Sequence, residues 1–306
     1  SMDGVSLYVD VKEQLLKLAD CRFVATIVGS GTVANEVMFG MVKSVFPKQQ
    51  GLIVSNGEFG ERLIYQAKHW ELTFVQKSYD WGAAFNLVEI EAMFIENDIR
   101  WLAFVHGETS TGTLNPLDDF IQLCQKYNVK LCVDCISSFG THLFSLKEVF
   151  CATAVSGKAI GALGGLSFVF YNDEPAEIEG IPSYVNLDTY HNYMPFTVPA
   201  FLLANTLAAL EQYPARFEVL QQRLQLMLDS SIYLQYGLQT AHYPIIVTFV
   251  GVNDFYTCTR LNDFDLHGAS AYLKQRDYVQ LSMIQPTFEK DFAALEHLFA
   301  NYMKLT

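Results

Sequence analysis

The sequence predicts an α/β fold, with a large domain built on a seven-stranded, mostly parallel sheet and a smaller C-terminal α+β domain. Three observations carry that expectation. Short, continuously apolar, β-rich runs recur along the first part of the chain. Stretches with helical apolar spacing separate most of them, and the texture changes after residue 200. Strands apolar at every position are those covered on both faces, and strand–helix alternation marks parallel connections.

The runs are FVATIV (23–28), LIVS (52–55), LTFV (72–75), WLAFV (101–105), KLCVD (130–134), ATAV (152–155) and LSFVF (166–170). Between them, VANEVMFGMVKSVF, FGERLIYQAKHW and LDDFIQLCQKYN repeat apolar residues at the interval of one helix face. The last two runs are too close for a crossover helix, so one antiparallel strand is expected. Residues 172–199 form an irregular connection rich in turn formers and aromatics. A long helical region (201–237) follows, then a strand in YPIIVTFVGV, a helix around 266–275 and a final helix near 288–304. The large domain is drawn as 20–200 and the small one as 201–306, to which residues 1–19 can be added.

Composition narrows the class. Of 306 residues, 51% are hydrophobic and 17% charged, which excludes bulk disorder. No apolar run reaches the roughly 18 residues of a membrane span. The opening SMDGVSLYVDVKEQ has no basic stretch followed by an apolar core, so no secretion signal is read and a cytoplasmic protein is expected. A net charge of −13 argues against a broad nucleic-acid surface, though one lysine and a few amides can still hold a small anion. Cys132 and Cys135 form the one C-x-x-C among six cysteines. On a strand, residues three apart face opposite ways, so the cysteines read as buried thiols of a reducing compartment and no metal site is expected.

In open α/β sheets ligands gather beyond the C-terminal strand ends. The polar motifs fall there in succession: Gly29-Ser30-Gly31-Thr32, Ser55-Asn56-Gly57-Glu58-Phe59-Gly60, His106-Gly107-Glu108-Thr109-Ser110, Asp134-Cys135-Ile136, and Ser156-Gly157-Lys158. Singly, each has a structural alternative: a plain turn for Gly29–Thr32, an N-cap or ion pair for Asp134, a surface lysine for Lys158, helix-face core for Phe59. Together they supply an amine for a Schiff base, a carboxylate for a pyridinium nitrogen, a ring to stack and N–H donors for a phosphate, which is what pyridoxal 5'-phosphate (PLP) requires.

The strings VGSGTVANEV, SNGEFGERL, HGETSTGTLNPL, VDCISSFG and SGKA resemble the class V aminotransferase family of fold-type I PLP enzymes, over roughly residues 20–250. SSFG, ETSTGTLNP and YPIIVTF lean toward 2-aminoethylphosphonate–pyruvate aminotransferases and their alanine/serine–glyoxylate relatives. The resemblance implies that Lys158 carries the cofactor and moves the proton, that Asp134 pairs with the pyridinium, and that Phe59 stacks on the ring with Ile136 beneath it. It further implies Thr109 near the ring hydroxyl, Ser30, Gly31 and Thr32 on the phosphate, and Thr197 reaching the phosphate of the neighbouring subunit in a homodimer with shared active sites. The implied reaction moves an amino group from a small amine or amino acid (2-aminoethylphosphonate, alanine or serine type) to pyruvate or glyoxylate.

Three departures stand against the pattern. Gly157 replaces a polar residue before the lysine. The stretch Tyr278–Gln285, where an arginine should grip the substrate carboxylate, holds none, leaving Arg260 or Arg276 as substitutes. The N-terminal segment that closes over substrate is short or missing. Two alternatives follow: a PLP-dependent lyase or cysteine desulfurase, with Cys258 as its nucleophile, or a catalytically altered dimer retained for binding a partner.

Overall fold

The computed structural model describes residues 4–175, 180–191, 193–252 and 266–302. Helix α1 (Gly4–Ala19) leads into β1 (Phe23–Val28), α2 (Gly31–Val45), β2 (Gly51–Ser55), α3 (Glu58–His69), β3 (Phe74–Ser78), α4 (Leu87–Glu96) and β4 (Trp101–Val105). A short hairpin, β5 (Gly107–Glu108) and β6 (Thr113–Leu114), precedes α5 (Leu117–Tyr127), β7 (Lys130–Asp134), β8 (Cys151–Val155) and β9 (Leu166–Tyr171). The large sheet has seven strands in the order β1-β9-β8-β7-β4-β2-β3. All its pairings are parallel except those of β9 with β1 and β8, so β9 is the expected antiparallel member.

Strand alternation divides the apolar residues between the two faces. Leu102, Phe104, Leu131 and Val133 pack with α1, α4 and α5 in one core. Trp101, Ala103, Cys132 and Ile53 pack with α2 and α3 in the other. Cys132 and Cys135 therefore lie in different cores, and shared ligation by this pair is ruled out by direction.

The third strand begins later than LTFV predicts. Leu72 belongs to the end of α3: its amide donates to Ala67 O at 3.1 Å while Glu71 takes a left-handed φ of 52°. That closure is the reach-back bond of a helix C-terminus, so the pairing register starts at Phe74.

Beyond α6 (Leu187–Tyr190), the long helical region is three helices: α7 (Ala200–Glu211), α8 (Tyr213–Leu228) and α9 (Ser231–Tyr236). Pro214 fits only the first turn of a helix and so opens α8, and the Ser230 hydroxyl accepts from the Tyr233 amide to cap α9. A second sheet then forms from β10 (Ile246–Val250), β11 (Leu266–His267) and β12 (Tyr278–Ser282), in the order β10-β12-β11, with α10 (Ala271–Arg276) and α11 (Phe288–Tyr302). The helix expected at 266–275 is thus a short strand followed by α10. Val247, Phe249, Leu281 and Phe292 build this lobe's own core. By packing, α1 and α7 go with the large sheet: Leu15, Leu203 and Leu210 feed its first core, although the sequence reading set residues 201–306 apart.

One close approach is demanding. A Cβ on Gly51 would come 2.0 Å from the ring of Trp101, which is fully buried between β2 and α2. Gly51→Ala should destabilise the protein by about 3 kcal/mol through overpacking, read as a lowered urea midpoint at unchanged slope.

Candidate active site

The parallel strands deliver their C-terminal ends to one edge of the sheet, and a cavity of about 470 Å³ opens there. Gly31 and Thr32 from the start of α2, Phe59 from α3, Thr109, Asp134, Ile136 and Lys158 all line it. Seven of the nine sequence-predicted site residues therefore share one space. Ser30 is the N-cap residue of α2, with an exposed side chain that makes no capping bond. Thr197 is exposed and lines neither this cavity nor its neighbour.

Asp134 ends the central strand β7 and is 4% exposed. Its Oδ2 accepts from Asn35 Nδ2 at 2.8 Å and its Oδ1 from the Ile136 amide at 2.9 Å. The Thr153 hydroxyl donates to Asn35 Oδ1 at 2.7 Å, which turns the amide so that its NH2 faces the carboxylate. Burial pushes the Asp134 carboxyl up, against the opposing pull of Asn35, the Ile136 amide and the Lys158 charge. Asn35 was not singled out in the sequence. Its signal is a polar residue on the buried face of α2, beside Ala34 and Met38.

Lys158 follows β8 and projects into the cavity, where its amine has no hydrogen-bond partner among the described residues. Burial pushes this amine down and the nearby Asp134 charge pulls it back. At the other end, the amides of Gly31 and Thr32 have no acceptor among the described residues, as expected of a helix start. Phe59 is half-buried, and the Arg62 guanidinium lies 4.8 Å from its ring centroid while pairing with Glu58 at 3.0 Å.

Glu108, which the sequence places in its strand-end motif without a role, is fully buried. Its carboxylate accepts from the amides of Phe59 (3.3 Å), Gly60 (3.0 Å) and Ser110 (3.1 Å) and from the Ser110 hydroxyl (2.5 Å). It thereby caps the first turn of α3 from another element and ties the Phe59 wall to the Thr109 loop. His106, from the same motif, is a buried structural histidine: its Nδ1 lies 3.0 Å from Ser138 Oγ, and burial pushes its pKa well below the usual range.

A second compartment of about 450 Å³ adjoins the first through Phe59, Thr109 and Lys158, and is walled by β12, β11 and the start of α10. The stretch expected to carry an arginine supplies Gln280, Ser282 and Ile284 here. Arg276 lies outside both compartments, with its guanidinium 3.2 Å from the Trp81 ring centroid. Arg260 and Cys258 fall outside the described residues. A Cβ on Gly157 would come 3.0 Å from Gly164 Cα, so the polar residue of the pattern would fit only with a small shift of the Gly164 backbone.

Burial raises the Glu108 carboxyl to about 7, against its four donors. A group that holds its proton more tightly when folded stabilises the fold at low pH and loses that contribution as pH rises through its folded pKa. Between about pH 5 and pH 8, wild type should therefore lose on the order of 3 kcal/mol relative to Glu108→Gln, measured by denaturant unfolding of both proteins across that range.

The sequence profile of the family described as Aminotransferase class-V matches residues 24–178. A 2-aminoethylphosphonate–pyruvate transaminase of Pseudomonas entomophila is 30% identical over 279 residues, covering 82% of this chain and 74% of the relative. The enzyme of that name from Lysinibacillus sphaericus is 28% identical over 96% of this chain and 87% of its own length. Among solved structures, an alanine–glyoxylate aminotransferase from Nostoc superposes with a TM-score of 0.83 at 20% identity, over 97% of this chain and 88% of that one. With a seven-stranded sheet of this order and the motifs gathered at its carboxyl edge, the chain belongs to the class V aminotransferase family of fold-type I, PLP-dependent enzymes.

Proposed function

We propose that this protein moves an amino group from a small amine or amino acid, of the 2-aminoethylphosphonate, alanine or serine type, to pyruvate or glyoxylate, with Lys158 as the residue that holds PLP. The observation that carries the reading is the placement in one cavity of a buried carboxylate and a partly desolvated amine that is unpaired among the described residues. The donor set fits the cofactor. A carboxylate as buried as Asp134 calls for a cationic partner, which a pyridinium N–H supplies, and the free amides of Gly31 and Thr32 suit a phosphate. Ser30 would add its hydroxyl there. When bound, the cofactor supplies an electron sink that lets the hydrogen on the amine-bearing carbon leave as a proton.

The protein's own residues do the rest. Desolvation lowers the Lys158 pKa and so favours the neutral amine, which is the form able to bind the cofactor aldehyde and to accept that proton. Asn35 and the Ile136 amide hold Asp134 in one orientation, and Phe59 and Ile136 offer flat and branched apolar surfaces to a ring between them. Thr109 lines the same cavity and would meet a ring hydroxyl there. The exposed Thr197 supports a homodimer in which it reaches the phosphate of the neighbouring site. Four free cysteines buried in the cores, Cys124, Cys132, Cys135 and Cys151, are in keeping with a cytoplasmic location.

Purified protein mixed with PLP should develop a visible absorption band that Lys158→Ala lacks. An amino donor should bleach that band, and pyruvate or glyoxylate should restore it. A band that Lys158→Ala retains, or release of sulfide from cysteine with no need for a keto acid, would overturn the proposal.

A further inference from the structure

Lys158 heads a tight turn. The Gly161 amide donates to Lys158 O at 3.0 Å, and Gly161 takes a left-handed φ of 84°. That closure occupies the Lys158 carbonyl and leaves the carbonyl of Ala159, a residue with no exposed surface, to find a donor from another element. The donor comes from α8, where Arg216 Nε reaches Ala159 O at 2.7 Å. A Cβ on Gly161 would stand 2.5 Å from Arg216 Nε, so the guanidinium lies directly on the turn.

The same guanidinium reaches the far wall of the site. Its Nη2 donates to Ile284 O at 3.4 Å, and Ile284 lines the second compartment just past the end of β12. Two turns further along α8, Arg223 Nη1 donates to the flanking carbonyls of Met283 and Gln285, at 2.7 and 2.9 Å. Both arginines hold the chain as it leaves β12, but only Arg216 also holds the turn that carries Lys158. Burial backs the contact: Leu220, one turn after Arg216, shares a small core with Ala159 and Ile245. A guanidinium is planar and rigid, so two carbonyls bound to one edge of it are held at a set spacing.

We infer that Arg216 is a positioning residue for amino transfer, holding the Lys158 turn at a fixed distance from the end of β12. It lines neither compartment and acts through the backbone alone. The amine is thereby aimed both at the cofactor aldehyde and at a substrate held against the β12 wall. The inference rests on the reading of Lys158 as the cofactor lysine.

Arg216→Gln, Arg216→Lys and Arg223→Gln are compared with wild type after removal of cofactor. The rate at which the visible band grows is measured against PLP concentration. Arg216→Gln should lower the saturating rate about tenfold or more, because a misplaced reacting group costs at least that much. The PLP concentration at half that rate, set by Gly31, Thr32 and Asp134, should stay within about twofold of wild type. Bleaching of the loaded band by alanine or serine should slow to a similar extent at saturation. Arg216→Lys keeps the charge but lacks the fork, and should fold and still lose several-fold in both rates. Arg223→Gln should lower the urea midpoint and leave both saturating rates as in wild type. Saturating rates in Arg216→Gln equal to wild type, or slowed no more than in Arg223→Gln, would overturn the inference and leave amino transfer standing. Should Arg216→Gln not fold, wild-type rates in Arg216→Lys would overturn it alone. No band in wild type, or one that Lys158→Ala retains, would overturn amino transfer and this inference together.

Discussion

A single buried carboxylate organises the site. Asp134 gives up most of its hydration at the end of β7, a penalty of several kcal/mol for an ion in a protein interior. Two hydrogen bonds and the field of Lys158 offset part of it. Those bonds also fix the geometry around it. The chain from Thr153 through Asn35 to Asp134 joins β8, α2 and β7, so the start of α2 cannot slide along the sheet without orphaning a buried polar group. The phosphate-type amides at Gly31 and Thr32 ride on that same helix, and their distance from Asp134 is set by the Asn35 link. Each link in this chain is a made hydrogen bond, and the charge that Asp134 keeps is what a cationic partner would answer.

What the sequence made legible follows from what leaves a local trace. Continuous apolar runs mark strands buried on both faces, and a turn-forming or charged cluster directly after such a run marks a strand end. Lys158, Asp134 and Phe59 could be placed at one sheet edge on that basis alone. Glu108 could not. Its partners Phe59 and Gly60 lie about fifty residues earlier in the chain, and nothing in GETST announces that its carboxylate will cap a distant helix. The later start of β3 was hidden for a similar reason: Leu72 is apolar enough to read as strand, but the backbone uses it to close α3. YVQLS carries the trace of a strand in its period-two alternation of core-facing and cavity-facing residues, but its polar Gln280 and Ser282 break the continuous apolar run that marks the other strands.

The small lobe meets the large one through directed bonds at the site. Tyr243, fully buried, lies 3.0 Å from Ser137 Oγ, which itself donates to Gly107 O. The Leu114 amide donates to Ala241 O at 2.7 Å, and Gln280 reaches Thr109 O. All three bonds land on segments that follow β4 and β7: the β5–β6 hairpin that holds Thr109 and Leu114, and the turn after Asp134 that holds Ser137. Their lengths and directions position the substrate wall relative to the cofactor wall more narrowly than apolar packing alone could, since burial of apolar area has no preferred direction.

The two compartments divide the work by polarity. Titratable groups with opposed shifts, Asp134 pushed up and Lys158 pushed down, face the first, where protons and charge must move. The second shares Lys158 and Phe59 with the first and adds amide, hydroxyl, imidazole and aliphatic groups from the small lobe. Asp134 is bound into a network reaching three elements, so exchanging any member of it disturbs the others. The β12 wall is one strand deep, and Gln280 there ties the Thr109 loop to Thr248 on β10. A family resemblance strong at the motifs of the first compartment and broken along β12 is what that division produces.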